Sequence, residues 1–212
     1  MAWSHIAVEG VVGVGKSAVV ERLARTMGAR QVAEEPDQNP FLKSFYTGVT
    51  GAAFQAELFF LLSRYRQQRE LSQRELFSAG TVCDYAFEKS RLYAYLNLED
   101  SELLIYEKLY ALLSEGVARP DLVVYLQAPT EVLWKRIRAR GRSEESALSE
   151  EYLAELNRAY NHYFVHYTQT PLLVVNTAEL DFARHTEDVD DLCKQIRQMG
   201  KGTQYYVPLA RS

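Results

Sequence analysis

Gly10-Val11-Val12-Gly13-Val14-Gly15-Lys16-Ser17 stands between an apolar stretch, His5-Ile6-Ala7-Val8-Glu9, and an amphipathic one running from Ala18 to Met27. Strand, glycine-rich loop and helix in that order make a phosphate-binding P-loop. Glycines let backbone N–H groups converge on phosphate oxygens, and the N-terminus of the following helix adds donors and a favourable dipole. Lys16 is placed to reach the β- and γ-phosphates of a nucleotide, and the Ser17 hydroxyl suits Mg²⁺. The motif leaves open whether the phosphate passes to water, to a protein or to a small molecule.

Around this loop, the 212 residues suffice for one α/β domain with a sizeable core and are few for two. The apolar fraction of 47% is ordinary for a globular protein. The longest apolar runs fall far short of a membrane span, and no charged-then-apolar signal segment opens the chain. A formal charge of -4 gives no support to a nucleic-acid surface. Cys83 and Cys193 lack metal-like spacing, and a reducing cytoplasm is the expected compartment.

Short β-type runs alternate with longer helical patterns, which predicts a parallel sheet flanked by helices. Five strands are expected at residues 5–9, 31–34, 81–84, 122–126 and 172–175. Helices are expected over 16–27, 53–77, 101–116, 130–140 and 149–167, within a single domain spanning 1–212. The polar stretch from Gly200 reads as a loosely ordered tail over about 200–212. Ligands of open parallel sheets bind beyond the carboxyl ends of the strands. That rule draws the Gly10–Ser17 loop, Glu35, Asp84 and the segment after Val175 onto one rim.

Asp84 ends the run Thr81-Val82-Cys83-Asp84. A carboxylate there could take a proton from an attacking hydroxyl, help to hold Mg²⁺, or cap a helix. Arg136 and Arg140 are four apart on one helix face, and Arg142 follows a glycine that can turn the chain. Three guanidinium groups converging on one point repel one another until an anion arrives, and phosphoryl transfer needs such cations. Arginine suits that task through its planar fork of donors.

Asp84-Tyr85-Ala86-Phe87-Glu88-Lys89-Ser90 with Asn97-Leu98 resembles the catalytic segment of the bacterial deoxynucleoside kinases. Glu9-Gly10, Glu35-Pro36, Asn39-Pro40-Phe41-Leu42, Phe45-Tyr46, Pro120-Asp121-Leu122, Tyr125-Leu126 and Arg140-Gly141-Arg142 continue the resemblance, in order, from about Ile6 to Phe182. The resemblance implies a P-loop kinase fold with an arginine-rich LID over about 136–148, ATP as donor and Mg²⁺ beside it. It implies that Asp84 is the general base for a sugar 5′-hydroxyl and that Glu35 lies near that hydroxyl. It further implies that Glu145 and Tyr46 contact the 3′-hydroxyl, and that Asp181 sits in a loop near the donor adenine. The family forms homodimers through helices in the region of Leu103 to Leu113. Tyr85 stands where many members carry arginine, and Ser90 where an aspartate often supports base recognition; Lys89 is the nearby cation.

The family reads the nucleobase with a glutamine on the helix around 54–77, and two positions compete for that place. At roughly 100° per residue, Glu57 and Arg64 point the same way, whereas Gln55 and Arg64 face apart. Glu57 is therefore preferred, and its chemistry differs. An ionised carboxylate only accepts hydrogen bonds, while an amide both accepts and donates. Guanine presents two adjacent donors and adenine a donor beside an acceptor, so Glu57 points to deoxyguanosine.

Three other readings compete. One is a deoxyadenosine or broad-specificity deoxynucleoside kinase. A thymidylate-type monophosphate kinase would need cations for the acceptor's phosphate, where Glu34-Glu35-Pro36-Asp37 is acidic. A GTPase switch predicts Asn-Lys-x-Asp, which Asn176-Thr177-Ala178-Glu179 does not supply.

Overall fold

The computed structural model describes residues 3–74, 80–142, 145–180, 182 and 185–208. Six strands, β1 (His5–Glu9), β2 (Arg30–Val32), β3 (Thr81–Cys83), β4 (Leu122–Gln127), β5 (Leu172–Asn176) and β6 (Thr203–Tyr206), form one sheet in the order β2-β3-β1-β4-β5-β6. Every neighbouring pair is parallel. Among the described residues, eight α-helices link or follow them: α1 (Lys16–Met27), α2 (Leu42–Tyr46), α3 (Ala52–Arg74), α4 (Lys89–Asn97), α5 (Asp100–Ser114), α6 (Thr130–Arg140), α7 (Glu150–Val165) and α8 (Thr186–Gln198).

Burial explains the strongest strand signals in the sequence. All of β1 and all but the last residue of β4 and β5 are buried, because helices cover both faces of a parallel sheet and the strands become continuous apolar runs. The edge strands carry no such signature. β6 is Thr-Gln-Tyr-Tyr, with three of its four residues exposed, and its backbone pairs with β5 from Leu172↔Thr203 to Val175↔Tyr206. The sheet thus has six strands rather than five, and residues 203–206 are an edge strand, not a loose tail.

The helices divide the core. α1 buries Val19, Val20, Leu23 and Ala24 and stops at Gly28, whose φ of 63° is the left-handed turn that glycine adopts without steric cost. α8, absent from the sequence reading, buries Val189, Leu192, Cys193 and Ile196, spacings of three and four that mark one helical face. It is pinned to α1 by Arg22 and Asp190, 2.9 Å apart. A second cluster joins Leu61 of α3, Phe87, Ala94 of α4, and Tyr106 and Tyr110 of α5. Leu103, Leu109 and Leu113 pack against it, whereas Leu104, Ile105 and Leu112 face outward, 61%, 53% and 71% exposed. Among the described residues, no helix is long and apolar enough to cross a membrane.

Candidate active site

The strand order puts β1 between β3 and β4, so the Gly10–Ser17 loop leaves the middle of the sheet with the end of β3 beside it. Glycine is required where the loop touches its neighbours. Gly13 has φ 88°, and a Cβ there would lie 2.9 Å from the Leu133 carbonyl oxygen and 2.8 Å from Ile137 Cγ1 of α6. Gly15, at φ 100°, is the residue before α1 and packs under Phe182. Val11 and Val14 are buried beneath the loop, and Val14 N–H closes a turn on Val11 C=O at 3.2 Å.

Lys16 folds back over the loop, donating from Nζ to the Gly10 carbonyl at 2.5 Å. Burial and the nearby Lys89 charge lower its ammonium to a pKa of about 8. Beneath it, the Glu9 carboxyl is fully buried and accepts from Ala86 N (2.7 Å), Gly10 N (3.2 Å) and Tyr160 Oη (3.3 Å). Burial raises that carboxyl, opposed by Lys89 and Lys16. Glu9 therefore ties the P-loop to the β3–α4 segment and to α7 at once.

Asp84 sits where β3 ends, half-buried, and its Oδ1 accepts from Glu34 N–H at 2.8 Å. Desolvation raises its carboxyl while Lys89 and Lys16 pull it down, so a proton acceptor stands at the edge of the phosphate loop. Glu35 lies one residue beyond Glu34, exposed, before the single helical turn Pro36–Gln38. The hydroxyl of Ser17, in the first turn of α1 and exposed, and the Asp84 carboxylate are hard oxygen donors that fit Mg²⁺. Among the described residues no group of three or more His, Cys, Asp or Glu could hold a metal. An ion that keeps waters and takes phosphate oxygens needs no such cage.

Glu34 organises the charge of the site. Its Oε1 receives Arg64 Nε at 2.7 Å and Nη2 at 2.5 Å, and its Oε2 receives Lys89 Nζ at 2.7 Å. Burial opposes the Glu34 charge, yet Arg64 and Lys89 together hold the carboxyl well below its ordinary range. Arg64 Nη1 also donates to Ser90 Oγ at 2.9 Å, and its guanidinium lies 5.2 Å above the Phe60 ring. Tyr85 is buried and turns its hydroxyl to Gln67 Oε1 at 2.6 Å, so the cation beside Asp84 is Lys89.

Glu57 is 3% exposed, whereas Gln55 is exposed to solvent. Asn97 Nδ2 donates to Glu57 Oε1 at 2.8 Å, and Oε2 is buried with no partner among the described residues. Desolvation, only partly offset by Arg64, raises the Glu57 carboxyl to about 7. Burial and then the charges of Glu57 and Glu145 push the Tyr46 phenol up to about 12, which places all three groups in one electrostatic neighbourhood.

The three arginines have different surroundings. Arg136 spends its guanidinium on the loop after β5, donating to the carbonyls of Thr177 (2.7 Å) and Leu180 (2.5 Å). Arg140 pairs with Glu145, and Arg142 is exposed. Asp181 lies outside the described residues.

Two groups at this site escaped the sequence reading as actors, Glu34 and Asn97, while Lys89 entered it only as the cation near Tyr85. Strand alternation offered a signal for the first, since Glu34 lies two residues beyond buried Val32 and shares its side. Nothing in the spacing pairs Asn97 with Glu57, 40 positions away. A cavity of about 590 Å³ lies elsewhere, bounded by Phe87, Arg91, Tyr95, Tyr110 and Tyr163, and no sequence-predicted site residue lines it.

The family model for deoxynucleoside kinase matches residues 6–200. Deoxyguanosine kinase of Bacillus subtilis (strain 168) is 30% identical over 199 residues, covering 92% of this chain and 96% of that protein. The deoxyadenosine/deoxycytidine kinase of the same organism is 27% identical over 201 residues, covering 91% of each. Among solved structures, deoxyadenosine kinase from M. mycoides with products dCMP and a flexible dCDP bound superposes with a TM-score of 0.78. It is 25% identical and covers 92% of this chain and 99% of its own.

Proposed function

The chain belongs to the deoxynucleoside kinase family, and on that premise we propose that it transfers the γ-phosphate of ATP to the 5′-hydroxyl of a purine deoxynucleoside, deoxyguanosine in preference. The observation that carries the base preference is Glu57. A buried carboxyl with one oxygen unpartnered has lost hydration, and a bound donor restores it. Two adjacent N–H donors of guanine suit an ionised carboxylate better than the mixed edge of adenine.

In this reading Lys16 and the P-loop amides hold the donor phosphates, and Ser17 would hold Mg²⁺, which would supply neutralisation of phosphate charge. Asp84 accepts the proton of the 5′-hydroxyl, Glu35 borders that hydroxyl, and Tyr46 and Glu145 contact the 3′-hydroxyl. Arg136, Arg140 and Arg142 serve the transferred phosphoryl group, and Arg140 and Arg142 reach it by leaving their present surroundings on closure of the LID. Phosphate passes directly between substrates, without a covalent enzyme intermediate. The outward face of α5, with Leu104, Ile105 and Leu112 exposed, supports a homodimer. Both cysteines are free and buried, which supports a reducing, cytoplasmic compartment.

The test supplies Mg-ATP with each of the four deoxynucleosides, guanosine and the corresponding monophosphates, and measures ADP formation. Deoxyguanosine is expected to give the highest kcat/KM, and Glu57→Gln to move preference toward deoxyadenosine. Turnover of monophosphates alone would overturn the reading of the reaction. An unchanged base preference in Glu57→Gln would overturn the role of Glu57.

A further inference from the structure

Lys89 opens α4 with its side chain turned inward, 6% exposed, and Nζ 2.7 Å from Glu34 Oε2. That carboxylate already has a cation, since Arg64 donates to Oε1 from Nε and Nη2. One anion therefore carries two buried cations, and Lys89 is the surplus one. An ammonium has three N–H donors. Among the described residues, Glu34 Oε2 accepts the one hydrogen bond that Lys89 Nζ makes.

The other charges that Lys89 faces are engaged elsewhere. Asp84 Oδ1 accepts from Glu34 N–H, and Glu9 accepts from Ala86 N, Gly10 N and Tyr160 Oη. Lys16 Nζ donates to the Gly10 carbonyl. Burial raises both carboxyls, and Lys89 is the foremost charge opposing that rise. Burial and then the Lys89 charge lower the Lys16 ammonium. Lys89 thus stands within the field of the P-loop lysine and of the carboxylate that ends β3, bonded to neither. Two ammonium groups that repel each other away from water favour an anion arriving between them.

We propose that Lys89 is a further catalytic residue, whose ammonium donates to the phosphoryl group in transfer from the side of Asp84, while Lys16 serves it from the P-loop. The inference rests on the reading of the chain as a kinase of a 5′-hydroxyl. In that step the 5′-oxygen forms a bond to the γ-phosphorus. The bond from that phosphorus to the β–γ bridging oxygen breaks, and its electron pair leaves with ADP. The hydroxyl proton goes to Asp84. Lys89 stays protonated throughout, and its two remaining N–H groups meet the charge on the oxygens of the transferred group. Glu34 and the Tyr93 ring, whose centroid lies 5.5 Å from Nζ, hold the ammonium in place.

The experiment measures kcat and KM of the full-length enzyme with Mg-ATP and deoxyguanosine or deoxyadenosine. Each variant is assayed on the plateau of its own pH profile, so that a changed ionisation of Asp84 does not enter. Lys89→Met is expected to lower kcat about 10²–10³-fold, the scale of one lost transition-state donor. Both KM values should change less than about threefold, because the contact is made only in the transition state. Lys89→Gln, which keeps a donor for Glu34 without the charge, should lose as much, and Lys89→Arg should retain more than either. A Lys89 that only neutralises Glu34 would lower the melting temperature and leave kcat of the folded variants within about threefold, which overturns the proposal. Should the variants not fold, the wild-type enzyme can be crystallised with Mg-ADP, deoxyguanosine and aluminium fluoride in place of the transferred group. Lys89 Nζ is expected within about 3.2 Å of a fluoride, and an ammonium bonded to Glu34 alone overturns the proposal. Turnover of monophosphates alone by the wild-type enzyme refutes the reading of the reaction and the proposal with it. Phosphorylation of deoxynucleosides with kcat preserved in Lys89→Met refutes only the role of Lys89.

Discussion

Lys89 Nζ lies 2.7 Å from Oε2 of Glu34, inside the protein. The same carboxylate holds Arg64 on its other oxygen, so one anion joins the start of α4 to the middle of α3. Buried pairs of this kind repay their desolvation only when every member is present.

Glu34→Gln should therefore destabilise the fold by about 3–5 kcal/mol, since two cations remain buried without their anion. The melting temperature is expected to fall by roughly 10 °C. Glu35→Gln, at an exposed position, should change stability by no more than about 0.5 kcal/mol. The folded-state pKa of Glu34 is depressed, so its contribution is present above the ordinary carboxyl value of 4.5 and is lost as pH falls below it. The wild-type advantage over Glu34→Gln should shrink in acid, as calorimetry of both proteins can show. Equal melting temperatures at neutral pH would refute the account.

Lys89 also pulls the Asp84 carboxyl down against the effect of burial. Lys89→Met should let Asp84 rise, so that it ionises only at higher pH. If Asp84 is the base, the acid limb of the kcat/KM profile moves upward by on the order of one unit. Lys89→Arg keeps the charge and should keep the limb. A limb that does not move in Lys89→Met would exclude Asp84 as the titrating base.

Lys16 titrates at about 8 in the free protein, lowered by burial and by Lys89. Above that pH it loses the charge that attracts phosphate, whereas bound ATP favours the charged form. KM for ATP should rise as pH passes about 8 while kcat changes little. Lys16→Met should cost about 10²–10³-fold in kcat/KM, the scale of one lost transition-state donor, and should abolish the alkaline rise in KM.

Gly13→Ala places a methyl 2.9 Å from the Leu133 carbonyl oxygen, at a φ of 88°. The P-loop must shift away from α6, and KM for ATP is expected to rise at least tenfold, or about 1.4 kcal/mol. Gly28→Ala provides the comparison. It has a similar left-handed φ of 63° but open space around its Cβ, so it should cost about 1 kcal/mol of stability and leave KM unchanged. Matching KM values for the two variants would remove the P-loop contact from the argument.

The phosphate loop, five strands and five helices were legible in the chain, and most of them carry a local signature. Gly10, Gly13, Gly15, Lys16 and Ser17 fall within eight consecutive residues, and His5–Glu9, Leu122–Gln127 and Leu172–Asn176 are apolar because both faces of their sheet are covered. β6 was illegible for the opposite reason: an edge strand of Thr, Gln and Tyr buries little and is held by backbone pairing to β5. α4 was hidden because its start carries Lys89 and Ser90, polar residues that are buried by partners distant in sequence.

Helical spacing within α3 put Glu57 and Arg64 on one face, because 3.6-residue periodicity is written into consecutive residues. Their actual partners were decided by tertiary structure. Arg64 goes to Glu34 and Ser90, Glu57 goes to Asn97, and Arg136 goes to the carbonyls after β5. These bonds span separations of 26 to 44 residues. A hydrogen bond depends on distance and direction in space, and only the packed chain brings such groups within reach. The motif identified a phosphate loop from eight consecutive residues; which carboxylates are neutralised beside it, and which oxygen of Glu57 remains unpartnered, followed from packing.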